Sequence, residues 1–211
     1  IDGAFDLIAR SGCAWRCGQG RPDGETWNQP RKIHMPPFTA ALFRRDLFNR
    51  VGLLDERFES YLEDVDFGLR CASQGLGGVY APDAVAYHEG SATLGEWNPD
   101  TVRRLSRNQV WLVAKHFRGD PLWPVLAGQL LWAFVAFRHG GAVAWCRGKW
   151  QGLHDFSKVR REGAGGERLP LGFLRESERG IWYLQNHTGF DLYWRIYFWL
   201  APSGRGKAMD R

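Results

Sequence analysis

The feature that most constrains this chain is an acidic helix start. Three carboxylates fall within four residues, and they are Glu63, Asp64 and Asp66. Apolar residues recur behind them at the spacing i, i+4 and i+7, which predicts a helix at 64–74 with one buried face. Asp66 and Arg70 are spaced i, i+4 and are expected to pair. Negative side chains stabilise a first helical turn, but a carboxylate at a loop-to-helix junction can also take a proton from a hydroxyl.

Apolar runs on both sides of this helix predict an α/β domain. Strands are expected at 5–9, 38–43, 79–81 and 84–87, and a short helix at 46–51 is expected to end at Gly52. His88 directly follows the last of these strands. Ligands commonly bind at strand ends in α/β sheets, which makes His88 a candidate ligand, although a lone histidine more often has a structural role.

The second half of the chain is predicted to be helical. Helices are expected at 101–117, 122–137 and 181–200, with a polar, glycine-rich linker at 157–180. The segment 122–137 is nearly all apolar, but its length falls short of the roughly 20 residues that span a bilayer. Two interpretations stay open for it. It is either a buried core helix or a helix on a membrane surface. In the second case Arg118, Arg138, Arg147 and Lys149 would anchor it.

Charge and tryptophan are unevenly distributed. Residues 1–117 carry 14 Lys and Arg against 15 Asp and Glu, whereas residues 118–211 carry 14 against 8, together with seven of the eleven tryptophans. A basic, tryptophan-rich region suits an anionic membrane surface. No helix-turn-helix, zinc-finger spacing or basic arm is present, so nucleic acid is not an expected partner.

Four cysteines without a signal peptide indicate free thiols and a cytoplasmic location, peripheral on the inner face of the plasma membrane.

Residues 36–93 contain a series of motifs in a fixed order. They are FTAALFRRDLFNRVGLLDERF at 38–58, YLEDVDFGLR at 61–70, Gly75, VYAPDAVAYH at 79–88, and Gly90-Ser91. This order resembles the C-terminal half of the catalytic domain of family 2 glycosyltransferases of the GT-A fold, in particular the rhamnosyltransferase-like members. The resemblance implies a partial GT-A (nucleotide-diphospho-sugar transferase-like) α/β domain at 1–117. That domain lacks its N-terminal Rossmann-like half and is followed by a basic, α-helical tail at 118–211, expected to be membrane-associated.

The resemblance implies a catalytic and a metal-binding residue. Asp64 matches the general base that deprotonates the acceptor hydroxyl, which then displaces the nucleotide diphosphate from the sugar with inversion. His88 matches a histidine that helps to bind a divalent metal in related enzymes. The metal would be Mg²⁺ or Mn²⁺, since an oxygen-rich site is expected, and it would neutralise charge on the departing diphosphate.

Four further residues are expected around this site. Glu63 is expected to contact the acceptor, and Asp66 is expected to fix Arg70. Thr39 lies, with Phe38, where members of the family usually carry a glycine, and is therefore expected on the acceptor side with an altered contour. These roles come from the resemblance and from adjacency to Asp64.

The donor-binding part of such an enzyme is not visible in this sequence. Residues 1–35 contain no Asp-x-Asp motif and no strand–helix–strand pattern. We therefore expect a fragment of an inverting glycosyltransferase that uses a dTDP- or UDP-sugar, with rhamnose as the expected sugar and a polysaccharide or lipid-linked acceptor. By itself the fragment is expected to be inactive and to bind the donor weakly.

The alternative is a catalytically inactive membrane-surface binding module. A glycoside hydrolase is disfavoured because Glu63 and Asp64 are adjacent in sequence.

Overall fold

The computed structural model of the chain describes residues 1–89 and 97–202. Its elements are β1 (Asp6–Ile8), β2 (Ala14–Arg16), β3 (Arg31–Ile33), α1 (Arg45–Val51), a 3₁₀ turn (Glu56–Phe58), α2 (Glu63–Ser73), β4 (Gly78–Tyr80), α3 (Pro99–His116), α4 (Leu122–Arg138), α5 (Ala142–Glu162), a second 3₁₀ turn (Gly163–Gly165), α6 (Phe173–Thr188) and α7 (Leu192–Leu200). The predicted helices at 46–51, 64–74, 101–117 and 122–137 are confirmed as α1 to α4. The Gly90-Ser91 motif lies outside the described residues.

The strands form two small antiparallel sheets. Strand β1 pairs with β2, so that Asp6 lies opposite Arg16, and β3 pairs with β4. A bridge between Asp6 and Met35 connects β1 to the end of β3. The α/β character is therefore confirmed in the form of seven helices and two short sheets within the described residues.

Two predicted strands are wrong. Residues 38–43 follow Pro36-Pro37 into a turn in which the Ala40 amide donates to the Pro37 carbonyl at 3.3 Å. The phenylalanines of this segment pack in an aromatic cluster that forms without strand pairing. The cluster contains Phe38, Phe43, Phe48 and Phe67. Residues 84–87 are irregular and exposed. Their apolar side chains alone do not make a strand, because a strand needs a neighbour with which to pair its backbone.

Two predictions about the second half also need correction. The expected linker at 157–180 contains the end of α5 and the start of α6, because its polar residues are the solvent side of two amphipathic helices whose inner side includes Val159 and Leu174. The expected helix at 181–200 is two helices. Gly189 breaks it with a φ of 107°, a conformation that L side chains rarely adopt.

The first and last parts of the described chain share one apolar core. Buried residues of the β1–β2 hairpin, such as Phe5, pack in one cluster with Ile181, Leu184 and Tyr197 of α6 and α7. Helix α6 also satisfies backbone groups of the hairpin. The Ile8 amide donates to Ser177 Oγ at 2.9 Å, and the Arg10 amide donates to Glu178 Oε1 at 2.8 Å. The predicted division of the chain at residue 117 remains a prediction.

Helix α3 packs mainly against α5. Helix α5 approaches α3 through Gly148 and Gly152, and a Cβ atom on Gly148 would stand 2.2 Å from the Arg103 carbonyl oxygen. Helix α4 contacts both α5 and α7. Within residues 1–89 and 97–202, none of the helices combines the length and the apolar character that crossing a membrane would require.

Candidate active site

The segment before α2 is held in an unusual backbone conformation. Glu59, Tyr61 and Leu62 all have positive φ angles, between 61° and 71°, although none is glycine. Such residues cost on the order of 1–3 kcal/mol each and tend to occur at functional sites. The strained turn therefore fixes how the chain enters Glu63 and Asp64, the first residues of α2.

Helix α3 stabilises this strained turn. The side-chain amide of Asn108 donates to the carbonyl oxygens of Phe58, Ser60 and Tyr61, at 2.9, 3.0 and 2.7 Å. Arg107 adds a hydrogen bond to the Phe58 carbonyl at 3.0 Å and an ion pair with Glu59 at 2.7 Å. Arg107 and Asn108 are both buried, so the turn is attached to the core of the molecule.

Asp64 lies in the first turn of α2 beside the N-terminal hairpin. Its Oδ1 accepts a hydrogen bond from the Val65 amide at 2.8 Å, and its Oδ2 lies 3.6 Å from Arg16 Nη2. Asp64 is only 8% exposed. One oxygen of the Asp64 carboxylate is therefore held by its own helix and the other is directed toward Arg16 of β2. This arrangement is suited to a proton acceptor with a fixed position.

A second carboxylate shares the same arginine. Asp6 faces Arg16 across the β1–β2 pair, with Oδ1 3.4 Å from Arg16 Nε. Burial raises the pKa of Asp6 from 3.8 to about 7 against the attraction of Arg16, and the negative charge of Asp64 acts in the same direction as burial. Burial by itself would lower the pKa of Arg16. The negative charges of Asp6 and Asp64 have the larger effect, so the pKa of Arg16 is raised above its usual value. Asp6, Arg16 and Asp64 thus form one electrostatic unit.

Glu63 adds a third carboxyl group at this place. Burial raises its pKa, and the charge of Asp64 adds to that effect. Its Oε2 atom is shielded from solvent and has no hydrogen-bond partner among the described residues. A buried carboxyl oxygen without a partner disfavours the charged form of Glu63, which agrees with the raised pKa.

Asp66 and Arg70 lie on a different side of α2. The predicted pair is confirmed, with Arg70 Nε 3.0 Å from Asp66 Oδ2, and Asp66 Oδ1 also receives Lys115 Nζ at 2.7 Å and His116 Nε2 at 2.8 Å. Burial opposes the charge of Asp66, but the hydrogen bond with His116 and the nearby Lys115 and Arg70 side chains lower its pKa to about 2. Arg70 further donates to the carbonyl oxygens of Val51 and Leu53, both at 2.8 Å. These two residues therefore join α2 to α3 and to the end of α1.

His88 and Thr39 lie at the surface. The His88 side chain is 40% exposed, and its Nδ1 atom lies 2.9 Å from Asp2 Oδ2. His88 does not end a strand, as the sequence predicted, but follows the irregular segment at 81–87. Thr39 is exposed in the turn after Pro37. The structure thus places Asp64 with Glu63, while Asp66 and Arg70 form a separate ion cluster.

Sequence reasoning missed three residues of this site. Asp6 and Arg16 meet Asp64 only through tertiary packing, and no local spacing indicates their contact. Asn108 carried a detectable signal. It is a polar residue four positions before the buried Leu112, on the inner side of α3, where an amide must find hydrogen-bond partners.

Comparison with known proteins gives a consistent result. The sequence model described as "Glycosyl transferase family group 2" matches residues 27–154. Two curated proteins of Mycobacterium tuberculosis, from strains CDC 1551 / Oshkosh and ATCC 25618 / H37Rv, are each 43% identical to the chain over 57 residues. Both are named N-acetylglucosaminyl-diphospho-decaprenol L-rhamnosyltransferase. The match covers 27% of this chain and 19% of each relative, and no solved structure matches.

Proposed function

Because the chain belongs to glycosyl transferase family group 2, we propose that it carries the acceptor side of an inverting, nucleotide-sugar-dependent active site with Asp64 as the general base. The observation that carries this proposal is the position of Asp64. It follows a strained turn, lies at the start of a helix and is oriented by Arg16 of another element. The three features hold one carboxylate in a defined orientation, which acid–base catalysis requires.

In the proposed reaction, an acceptor hydroxyl gives its proton to Asp64. The oxygen forms a bond to the anomeric carbon of the donor sugar, and the bond from that carbon to the diphosphate oxygen breaks. One displacement of this kind inverts the anomeric configuration. In this proposal Glu63, which precedes Asp64 and is half-buried, contacts the acceptor. Asn108 maintains the turn that positions both carboxyl groups.

The proposed substrates follow the family and its named relatives. A nucleotide sugar is the donor, with dTDP-rhamnose as the specific proposal, and a lipid-linked glycan is the acceptor, since both relatives are named for a rhamnosyl transfer to a diphospho-decaprenol compound. We place the reaction in the cytoplasm, at the inner face of the plasma membrane. An inactive membrane-binding module derived from such an enzyme is the alternative.

A divalent metal, Mg²⁺ or Mn²⁺, belongs to the proposal through His88. Within the described residues no three His, Cys, Asp or Glu side chains are grouped as a metal site, but His88 and Asp2 place a nitrogen and a carboxylate side by side. Asp2 could give such a metal one carboxylate, with substrate phosphates completing the site. The two atoms are hydrogen-bonded to each other in this structure, however, and an imidazole nitrogen is not a ligand that Mg²⁺ prefers, so His88 fits the metal poorly here. The metal would supply charge neutralisation at the diphosphate.

The test is Asp64→Asn in the enzyme expressed from its full reading frame. A general base contributes roughly 10²–10⁴-fold to the rate, so we expect a loss of sugar transfer in that range with donor binding retained. Asp46→Asn is the matched control, because Asp46 is also a first-turn aspartate but lies exposed in α1 and pairs with Arg44. Near-normal transfer by Asp64→Asn would remove Asp64 as the base.

A further inference from the structure

Helix α4 directs five large apolar side chains toward solvent, whereas its Leu131 and Trp132 are partly buried against the core. The five follow one another at intervals of three or four residues with exposed fractions between 48% and 72%, and they are Leu122, Leu126, Leu130, Phe134 and Phe137. The buried side of the helix is formed by small residues, such as Ala127, Gly128 and Ala136. A Cβ atom on Gly128 would stand 2.2 Å from Ser11 Cβ, which shows how closely this side approaches the core.

The two helices that contact α4 have the same property. Helix α5 exposes Val143, Trp150 and Leu153, and helix α7 exposes Leu192 and Trp199, the latter to 80%. Trp123 of α4 is also half exposed, and its indole nitrogen donates to the Leu200 carbonyl of α7 at 2.9 Å. We call the exposed apolar residues of these three helices the α4 face. Monomeric proteins rarely expose so many large apolar side chains on neighbouring elements unless they meet a partner there.

The helices that form the α4 face carry more positive than negative charge. Helices α4, α5 and α7 contain seven Lys and Arg residues against Asp155 and Glu162, and Arg138, Arg147 and Arg195 are exposed. A surface that combines Leu, Phe and Trp with an excess of basic residues is complementary to a lipid surface with anionic head groups. The same excess of positive charge disfavours the pairing of this surface with a second copy of itself.

We propose that the α4 face docks on an anionic lipid bilayer, with α4 lying in the plane of the interface. Leucine and phenylalanine side chains would enter the acyl boundary, and the tryptophans would lie at head-group level. The proposal specifies the membrane contact named in the proposed function, but it does not depend on sugar transfer. If the proposed function also holds, this orientation would keep the active site within reach of a lipid-linked acceptor.

The experiment is vesicle flotation of the 211-residue chain. Vesicles of phosphatidylcholine and phosphatidylglycerol in equal amounts are compared with vesicles of phosphatidylcholine alone. We expect binding to the anionic vesicles that weakens as salt is added, since screening reduces the attraction. The double variant Leu130→Ser/Phe134→Ser should bind at least about tenfold less tightly, because it removes two inserted side chains. Arg147→Gln should reduce binding to the anionic vesicles about fivefold.

A matched control removes two exposed leucines elsewhere. Leu53→Ser/Leu171→Ser lies outside α4, α5 and α7 and should bind vesicles as the unaltered chain does. All of these side chains are exposed, so circular dichroism and urea midpoints should show that the variants fold. Asp64→Asn should also bind normally, which separates this proposal from the catalytic one.

Three results would overturn the proposal. The first is an unaltered chain that does not float with anionic vesicles, and the second is normal binding by Leu130→Ser/Phe134→Ser. The third is self-association in sedimentation experiments that only this variant abolishes, which would assign the α4 face to a second copy of the chain.

Discussion

Replacing Asp66 by asparagine should separate the structural carboxylate of α2 from the functional one. Asp66 is fully buried and receives Lys115, His116 and Arg70 at 2.7, 2.8 and 3.0 Å. Asparagine is nearly the same size, but it carries no charge and turns an amide NH₂ group toward one of these cations. The substitution therefore leaves buried positive groups without their counter-charge while it changes the packing volume very little.

The expected loss of stability can be worked out in two ways. A pKa lowered from 3.8 to about 2 corresponds to about 2–3 kcal/mol of stabilisation by the ionised group. Removal of one partner from a buried ion pair costs about 3–5 kcal/mol in other proteins. We therefore expect Asp66→Asn to lower the free energy of unfolding by about 3 kcal/mol. This is a large part of the roughly 5–15 kcal/mol that a domain has.

The assay is urea unfolding of both proteins at neutral pH and at several lower pH values. The contribution of Asp66 is present above pH 4 and is lost as the pH falls toward 2, because the folded-state pKa lies below the unfolded one. The difference between the unaltered chain and Asp66→Asn should therefore shrink toward pH 2.

Asp64→Asn is the matched control for this measurement. Asp64 lies two residues away in the same helix, and its cation Arg16 also has Asp6 as a partner. We expect its stability to change by less than about 1 kcal/mol. If Asp66→Asn unfolded at the same urea concentration as the unaltered chain, the ion cluster would not be what joins α2 to α3.

Two other substitutions test the packing around the site. Asp6→Asn should stabilise the chain by up to about 4 kcal/mol at pH 8, because a pKa raised from 3.8 to about 7 in the folded state means that stability is lost as the pH rises from 4 through 7. Urea unfolding across that pH range checks this prediction, and an unchanged pH dependence would contradict it. Gly148→Ala should lower the free energy of unfolding by about 2–3 kcal/mol, because the added Cβ would stand 2.2 Å from the Arg103 carbonyl oxygen. Gly24→Ala has open space around the added Cβ and should be neutral. A thermal or urea melt measures both, and equal effects of the two substitutions would refute the close α3–α5 packing.

Hydrophobic periodicity located most of the helices but only two of the four predicted strands, those at 5–9 and 79–81, which correspond to β1 and β4. The helices α1 to α4 are predicted within about two residues because an amphipathic repeat and a helix-ending glycine are local signals. The apolar run at 38–43 carries an equally local signal, yet it forms a turn with an aromatic cluster. A strand depends on a partner elsewhere in the chain, and a short apolar segment does not contain that information.

The candidate site shows the same limit at the level of single residues. Glu63, Asp64 and Asp66 are similar in sequence, and the spacing of Asp66 and Arg70 correctly predicted their ion pair. Which carboxylate meets the N-terminal hairpin and which meets α3 follows from the helical rotation between positions 64 and 66 once both neighbours are packed. The raised pKa of Asp6 has no counterpart in its sequence context, since burial causes it.

The sequence alone determined the family motifs, the acidic start of α2 and the presence of a nearly all-apolar helix at 122–138. The tertiary structure decided which side of that helix is buried. A uniformly apolar helix has no preferred side by hydrophobicity. The small residues Gly128 and Ala136 therefore face the core, where backbones approach closely, and large residues such as Leu130 and Phe134 remain outside, while Trp132 packs partly against the core. Packing likewise brought Asp6 and Arg16 to Asp64, because contacts between distant residues depend on how the elements fit together rather than on local pattern.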